Sequence, residues 1–133
     1  MRLQDRVFHL AIPCDDLKTT KEFYSQFNGC KFAREYDDRV TFDFFGDQLV
    51  CHLHPEYNTG RIQLYPRHFG ITFLNEKDWL DVLEQAQKND IKFFNKPFVR
   101  FEGKREEHKT FVLIDPSKNL LEFKYYLDPA MAY

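Results

Sequence analysis

Histidine and carboxylate side chains are the groups through which this 133-residue chain could do chemistry. Glu122 is the least expected of them. It lies inside LLEFKYY, an apolar and aromatic run, between Leu121 and Phe123. With the two-residue period of a strand it shares a face with Leu120 and Lys124. A carboxylate there is costly unless it is solvated, paired or bound to a metal. His9 and His68 open two similar apolar runs, HLAIP and HFGITF, and His52 and His54 lie in a third, QLVCHLH. Imidazoles with a carboxylate are the ligand types for Fe(II), Mn(II), Zn(II), Ni(II) or Co(II). Two histidines with one carboxylate form the facial triad of non-haem iron. His108, beside Glu106 and Glu107, reads as a surface histidine, with a role behind a metal ligand or in proton transfer as the alternative.

The elements that must position these groups follow from periodicity. VFHLAIP is a short apolar run ended by proline and reads as a buried strand. Asp15 or Asp16 can cap the next helix, in which Leu17, Thr20, Tyr24 and Phe27 keep helical spacing and Asn28-Gly29 supplies the stop. Three strands follow in CKFAREY, RVTFDFFG and QLVCHLH, divided by Asp37-Asp38 and Gly46-Asp47. Residues 55–66 carry Asn58, Gly60 and two prolines and read as a linker.

After the linker the order repeats. HFGITF reads as a strand, NEKDWLDVLEQAQKND as a helix capped by Asn75, and IKFFNKPFV as a strand. RFEGKREE is a charged loop, solvated or serving as a lid. KTFVLIDPSKNLLEFKYY is a hairpin, its turn made by Asp-Pro-Ser-Lys-Asn. An offset of 59 carries His9 to His68 and Leu17 to Glu76, so the chain reads as an internal duplication of β-α-β-β-β. Its first module covers about residues 6–54, its second about 67–126, and 127–133 form a tail. By position in the last strand, His52 is expected to correspond to Glu122, with His54 on the same face as its competitor. If the halves pair about a pseudo-twofold, His9, His52, His68 and Glu122 come together. A single strand histidine is more often a hydrogen-bonded core residue than a ligand; the repeat is what gives this set its weight.

Composition narrows the classes. With 43% hydrophobic and 30% charged residues the chain is an ordinary globular domain. A formal charge of -2 without a basic run excludes the electrostatic footprint of a nucleic-acid binder. The start, MRLQDRVFHLAIP, lacks an apolar run of targeting length and no stretch is long enough to span a membrane, so a soluble cytoplasmic protein is expected. Cys14, Cys30 and Cys51 are odd in number and not closely paired, which predicts free thiols, Cys51 being a small buried hydrophobe. The 15 Phe residues are expected mostly in the core, and Lys124 is expected to reach the rim, away from a divalent cation.

The segments FHLAIPCDDLKTTKEFYSQFNGCKF, RHFGITF and FVLIDPSKNLLEFKYY resemble the glyoxalase, bleomycin-resistance and extradiol-dioxygenase superfamily, the vicinal oxygen chelate proteins. The resemblance runs from about Val7 to Tyr126, strongest in DPSKNLLEF, which looks like the family's Asp-Pro-x-Gly-Asn-x-x-Glu hairpin. It implies an α+β fold of two paired βαβββ modules forming a cupped, partly open mixed β-sheet barrel around a divalent metal. By it, His9, His68 and Glu122 fall on ligand positions, and His52 where glyoxalases usually have Glu. Lys118 replaces the turn's usual Gly, a change expected to cost little. His52 removes a second proton-transfer carboxylate, which counts against glyoxalase I itself.

What the resemblance implies for function is a divalent-metal enzyme (Fe, Mn, Ni, Co or Zn) acting on a small substrate with adjacent oxygens, dioxygenase-like or glyoxalase- and isomerase-like. The metal would serve as Lewis acid or oxygen activator. The alternative is a non-catalytic protein of the bleomycin-resistance type that sequesters a small molecule. Family members of this size commonly form homodimers.

Overall fold

A computed structural model describes residues 4–133; the first three residues of the N-terminal stretch, read above as free of a targeting run, lie outside it. The elements run β1 (His9–Cys14), α1 (Leu17–Tyr24), β2 (Cys30–Glu35), β3 (Arg39–Phe44) and β4 (Asp47–Leu53). They continue as β5 (Phe69–Phe73), α2 (Glu76–Lys88), β6 (Phe93–Arg100), β7 (His108–Ile114) and β8 (Leu120–Tyr126), with a short 3-10 turn at Pro129–Ala132. The duplicated β-α-β-β-β order expected from the sequence is therefore present. The chain divides into two compact units, one ending at Arg61 and the other beginning at Ile62.

In the first unit the strands are ordered β1-β4-β3-β2, with β1 parallel to β4 and the remaining pairs antiparallel. Asp16 is the cap of α1: its carboxylate accepts from the Thr19 amide at 2.8 Å, a bond that holds the carboxyl below its ordinary range. The Thr20 hydroxyl donates to the Asp16 carbonyl at 2.6 Å. Thr20, Phe23 and Tyr24 are buried, and the Tyr24 ring meets Phe42 of β3 at 5.3 Å. The helix ends at Tyr24, earlier than the Asn28-Gly29 stop. Phe27 and Cys30 are buried in the turn that follows, and a Cβ at Gly29 would run into the Phe45 ring. That close approach, rather than helix termination, explains the glycine.

The second unit repeats the arrangement in the order β5-β8-β7-β6, again with one parallel pair, β5 with β8. Asn75 caps α2, accepting from the Asp78 amide at 2.9 Å. Trp79, Val82 and Ala86 are its buried side. Trp79 meets Phe111 at a tilt with ring centres 5.4 Å apart, and its indole N–H donates to the Phe123 carbonyl at 2.9 Å. Phe111 and Phe123, both fully buried, stack at 5.4 Å. Burial of each ring stabilises the unit by about 1.5–3 kcal/mol. Leu121, Phe123, Phe111 and Leu113 thus face α2, and by alternation Leu120, Glu122, Val112 and Thr110 face the other way.

That second face has its own cover. Ile62 and Leu64 pack on Val112, Ile114 and Leu120. The far half of the segment read as a linker is therefore an integral layer of the second unit. Ten of the 15 phenylalanines are buried or half-buried and Phe8, before β1, is exposed; the other four, Phe32, Phe94, Phe98 and Phe101, are exposed as well. Three of these four lie on the edge strands β2 and β6, where one flank has no neighbouring strand to cover it. Cys14, Cys30 and Cys51 are thiols outside any disulfide and all three are buried, Cys51 as expected. Among the described residues no helix is long and apolar enough to cross a membrane.

Candidate functional site

Glu122 and His68 meet in the second unit. Glu122 is buried at 7% exposure although it is charged in type. In the parallel ladder Gly70 of β5 stands opposite Glu122, which puts His68, two residues before Gly70, on the same face. Gly70 is needed because a Cβ there would run into the Glu122 carbonyl oxygen. Nε2 of His68 lies 4.0 Å from Oε1 of Glu122. The other ring nitrogen, Nδ1, is 2.8 Å from the Leu64 carbonyl oxygen. A carbonyl only accepts, so Nδ1 carries a proton, and Nε2 is the ring nitrogen turned toward Glu122, the one whose lone pair is available to a ligand when the ring is neutral. A backbone carbonyl behind the remote nitrogen is the usual support of a metal-ligating histidine. Two donors each about 2 Å from a first-row metal stand roughly 3–3.4 Å apart at cis or tetrahedral angles, so a small side-chain rotation from the gap of 4.0 Å brings this pair to ligating distance. The donor set of this unit therefore fits a divalent ion.

Lys124 departs from its expectation. Its Nζ lies 3.5 Å from the same Oε1 of Glu122, with the side chain 30% exposed. An ammonium thus shares the oxygen that faces His68. Tyr65, in the covering segment, packs edge-on to His68 at 5.6 Å and accepts from Nη1 of Arg100 at 2.7 Å.

His9 and His52 lie in the first unit, on the face of its sheet turned away from α1, and both are exposed. The ladder does not bring them together. His9 stands opposite Gln48 and His52 opposite Pro13, so their Cα atoms are about 14 Å apart, four residues along and one strand across. Two imidazoles at that separation do not meet on one ion. The register also corrects the correspondence between halves. In the second unit the carboxylate stands opposite the residue two after His68; in the first, the residue opposite Ala11, two after His9, is Val50. Val50, not His52, is the counterpart of Glu122, and the counterpart of His52 is Lys124. The antiparallel ladders agree, since Thr41 pairs with Val50 as Val112 pairs with Glu122.

His54 is exposed and packs edge-on to Tyr57 at 5.1 Å. His108 is not a surface residue: it opens β7 and is 4% exposed. Its ring lies 4.5 Å from Tyr126 across the strand pair, and Nδ1 is 2.9 Å from the Glu106 carbonyl oxygen. The loop before it is held by its own bonds, Gly103 N–H to the Glu107 carboxylate at 2.7 Å and Arg105 to Asp128 at 2.9 Å. Among the described residues no three His, Cys, Asp or Glu side chains are gathered as a metal-holding group.

The Glu122 hairpin is itself well determined. Asp115 accepts from the amides of Ser117 and Asn119 at 2.9 and 2.8 Å and from the Asn119 side chain at 2.9 Å. Lys118 takes φ 66°, the left-handed region, so the missing glycine carries a conformational cost.

The chain is similar over its full length, and over 100% of the other chain, to a glyoxalase/bleomycin resistance protein/dioxygenase from Alicyclobacillus acidocaldarius, with 53% identity and a TM-score of 0.94. It shares its fold with a genomically encoded fosfomycin resistance protein from Listeria monocytogenes at 13% identity and a TM-score of 0.69, covering 90% of this chain and 92% of that one. It shares it also with a lactoylglutathione lyase from Agrobacterium tumefaciens at 13% identity and a TM-score of 0.66, covering 93% and 96%. No curated protein matches. The profile of the Glyoxalase/Bleomycin resistance protein/Dioxygenase superfamily matches residues 6–123. With this match and two four-stranded mixed sheets of the same order, the chain belongs to the Glyoxalase/Bleomycin resistance protein/Dioxygenase superfamily.

Proposed function

We propose that this protein is a divalent-metal-dependent enzyme acting on a small substrate with adjacent oxygens, and that His68 and Glu122 are protein ligands of the ion. The observation that carries the reading is the pair in the second unit: a buried carboxylate 4.0 Å from an imidazole whose Nδ1 proton is committed to the Leu64 carbonyl. A bound divalent ion would supply Lewis acidity toward the substrate's oxygens or, as iron, redox chemistry toward dioxygen. The chain's own residues do the rest. Leu64 orients the imidazole, Ile62 and Leu64 keep water from Val112 and Leu120 beside the carboxylate, and Lys124 holds positive charge where a substrate becomes anionic. One histidine and one carboxylate leave most coordination positions of the ion open to substrate. A homodimer is part of the reading, checked by light scattering.

A second reading rests on Lys124. Because the ammonium already neutralises Glu122, the carboxylate is also accounted for as half of an ion pair in a metal-free protein that sequesters a small molecule.

Elemental analysis of protein purified without chelators, beside Glu122→Gln and His68→Ala, separates the two. Near-stoichiometric divalent metal in the parent and loss from both variants supports the enzyme. A parent that stays metal-free after incubation with iron, manganese, nickel, cobalt and zinc overturns it in favour of sequestration.

A further inference from the structure

We propose that the sheet face carrying Glu122 continues into a subsite for an oxyanion, formed by Arg100, Tyr65, Lys124 and Thr110, which takes the carboxylate or phosphoryl end of a small acid. This rests on the metal-dependent reading only for what happens at the substrate's other end.

The ladders of the second unit place these residues on one face in successive rungs. Val112 pairs with Glu122, Thr110 with Lys124 and with Phe98, and His108 with Tyr126 and with Arg100. Each rung lies about 7 Å beyond the last. The side chains of Arg100 and Lys124 are long enough to reach back across such a step.

Charge on this face is unbalanced. Arg100 has no carboxylate partner among the described residues; its recorded hydrogen bond goes to a neutral group, the Tyr65 hydroxyl, at 2.7 Å. A guanidinium has five N–H donors in a planar fork, so most remain to hold an oxyanion in two-point fashion. Among the described residues the ammonium of Lys124 is balanced by Glu122, at 3.5 Å. Once Glu122 serves a divalent ion, that charge too is free to meet an anion.

A second, independent observation lies between the two cations. Thr110 is fully buried, and its Oγ1 has no hydrogen-bond partner among the described residues. A buried hydroxyl left unpaired is unfavourable, and an oxyanion accepting from it removes the penalty. Tyr65 ties the subsite to the carboxylate end of the face, since its ring packs on His68 while its hydroxyl holds Arg100.

The test uses full-length protein kept metal-free with a chelator, titrated with inorganic phosphate and, separately, with acetate at constant ionic strength. Two-dimensional 15N–1H NMR of the backbone amides and the Arg100 Nε–H is the readout. Saturable shifts are expected at Arg100 and Thr110, for phosphate if the ligand is a phosphoryl compound and for acetate if it is a carboxylic acid. Arg100→Gln should weaken binding by about tenfold or more, as loss of a fork-shaped charged donor does. Tyr65→Phe, which removes one hydroxyl and keeps the ring, should weaken it about threefold through loss of Arg100's orientation. No saturable shift in the parent, or unchanged binding in a folded Arg100→Gln, overturns the subsite. Metal content is read separately, so a protein that binds phosphate but no metal loses the enzymatic reading and keeps this one.

Discussion

Lys124 holds its ammonium 3.5 Å from the Oε1 of Glu122, the oxygen that His68 also faces from 4.0 Å. One carboxylate oxygen thus has two claimants, an ammonium and whatever His68 would hold with it. Two cations at one oxygen repel, so the lysine should weaken metal binding while it orders the empty carboxylate. Lys124→Met is expected to tighten metal binding by about tenfold, an order set by like charges a few ångströms apart in a half-buried setting. Competition against a chromophoric chelator measures it. Weaker binding in the variant would show that the lysine supports the ion.

Gly70 is held by space and not by backbone conformation. A methyl group there would strike the Glu122 carbonyl in the neighbouring strand, and main chain cannot step aside as a side chain can. Gly70→Ala should cost about 3 kcal/mol or more, as overpacking against a fixed element does. Urea unfolding would show it as a lowered midpoint with an unchanged slope.

At Lys118 the opposite change should help. The residue sits at φ 66° in the turn that leads into β8. Lys118→Gly removes the left-handed penalty but frees the unfolded chain, leaving a net gain of about 0.5–1 kcal/mol. A rise in thermal midpoint is the expected result, and a fall would mean that the lysine side chain contributes something the backbone cost conceals.

The thiols should be silent in the native state. Cys14, Cys30 and Cys51 are all buried, and burial, with the Asp43 charge adding to it, pushes the Cys30 thiol up to about 12. At pH 8 roughly one Cys30 in ten thousand is thiolate, so alkylation by iodoacetamide followed by mass spectrometry should find no modification until denaturant is added. The sign for stability follows. Between the ordinary thiol value of 9.0 and about 12, the unfolded chain releases a proton that the native chain keeps. Cys30 therefore contributes a loss of stability as pH rises through that window, at up to about 1.4 kcal/mol per unit. Cys30→Ala should flatten this part of the profile.

The duplicated βαβββ order was legible because it is written in local signals. Alternation marks the strands, Asp16 and Asn75 cap the helices, and Asp-Pro-Ser-Lys-Asn turns the last hairpin. Each acts over a few residues, so each survives translation from sequence to structure. His68 and Glu122 were legible as candidates for the same reason: an imidazole and a carboxylate stood where strand periodicity wants apolar side chains.

What stayed hidden depended on which residues lie opposite one another across long separations. Parallel pairing of β1 with β4 joins segments nearly forty residues apart, and its register made Val50 rather than His52 the counterpart of Glu122. No local pattern distinguishes His52 from a position two residues earlier, because both lie on the same face. The burial of His108 against Tyr126, the meeting of Lys124 with Glu122, and the packing of Ile62 and Leu64 over β7 and β8 have the same origin. By itself the sequence determined the elements, their order and the residue types available for chemistry, since those follow from neighbours along the chain. The tertiary structure alone decided which of those residues meet, since strand register and the path of the covering segment are settled by packing between parts of the chain that no local signal connects.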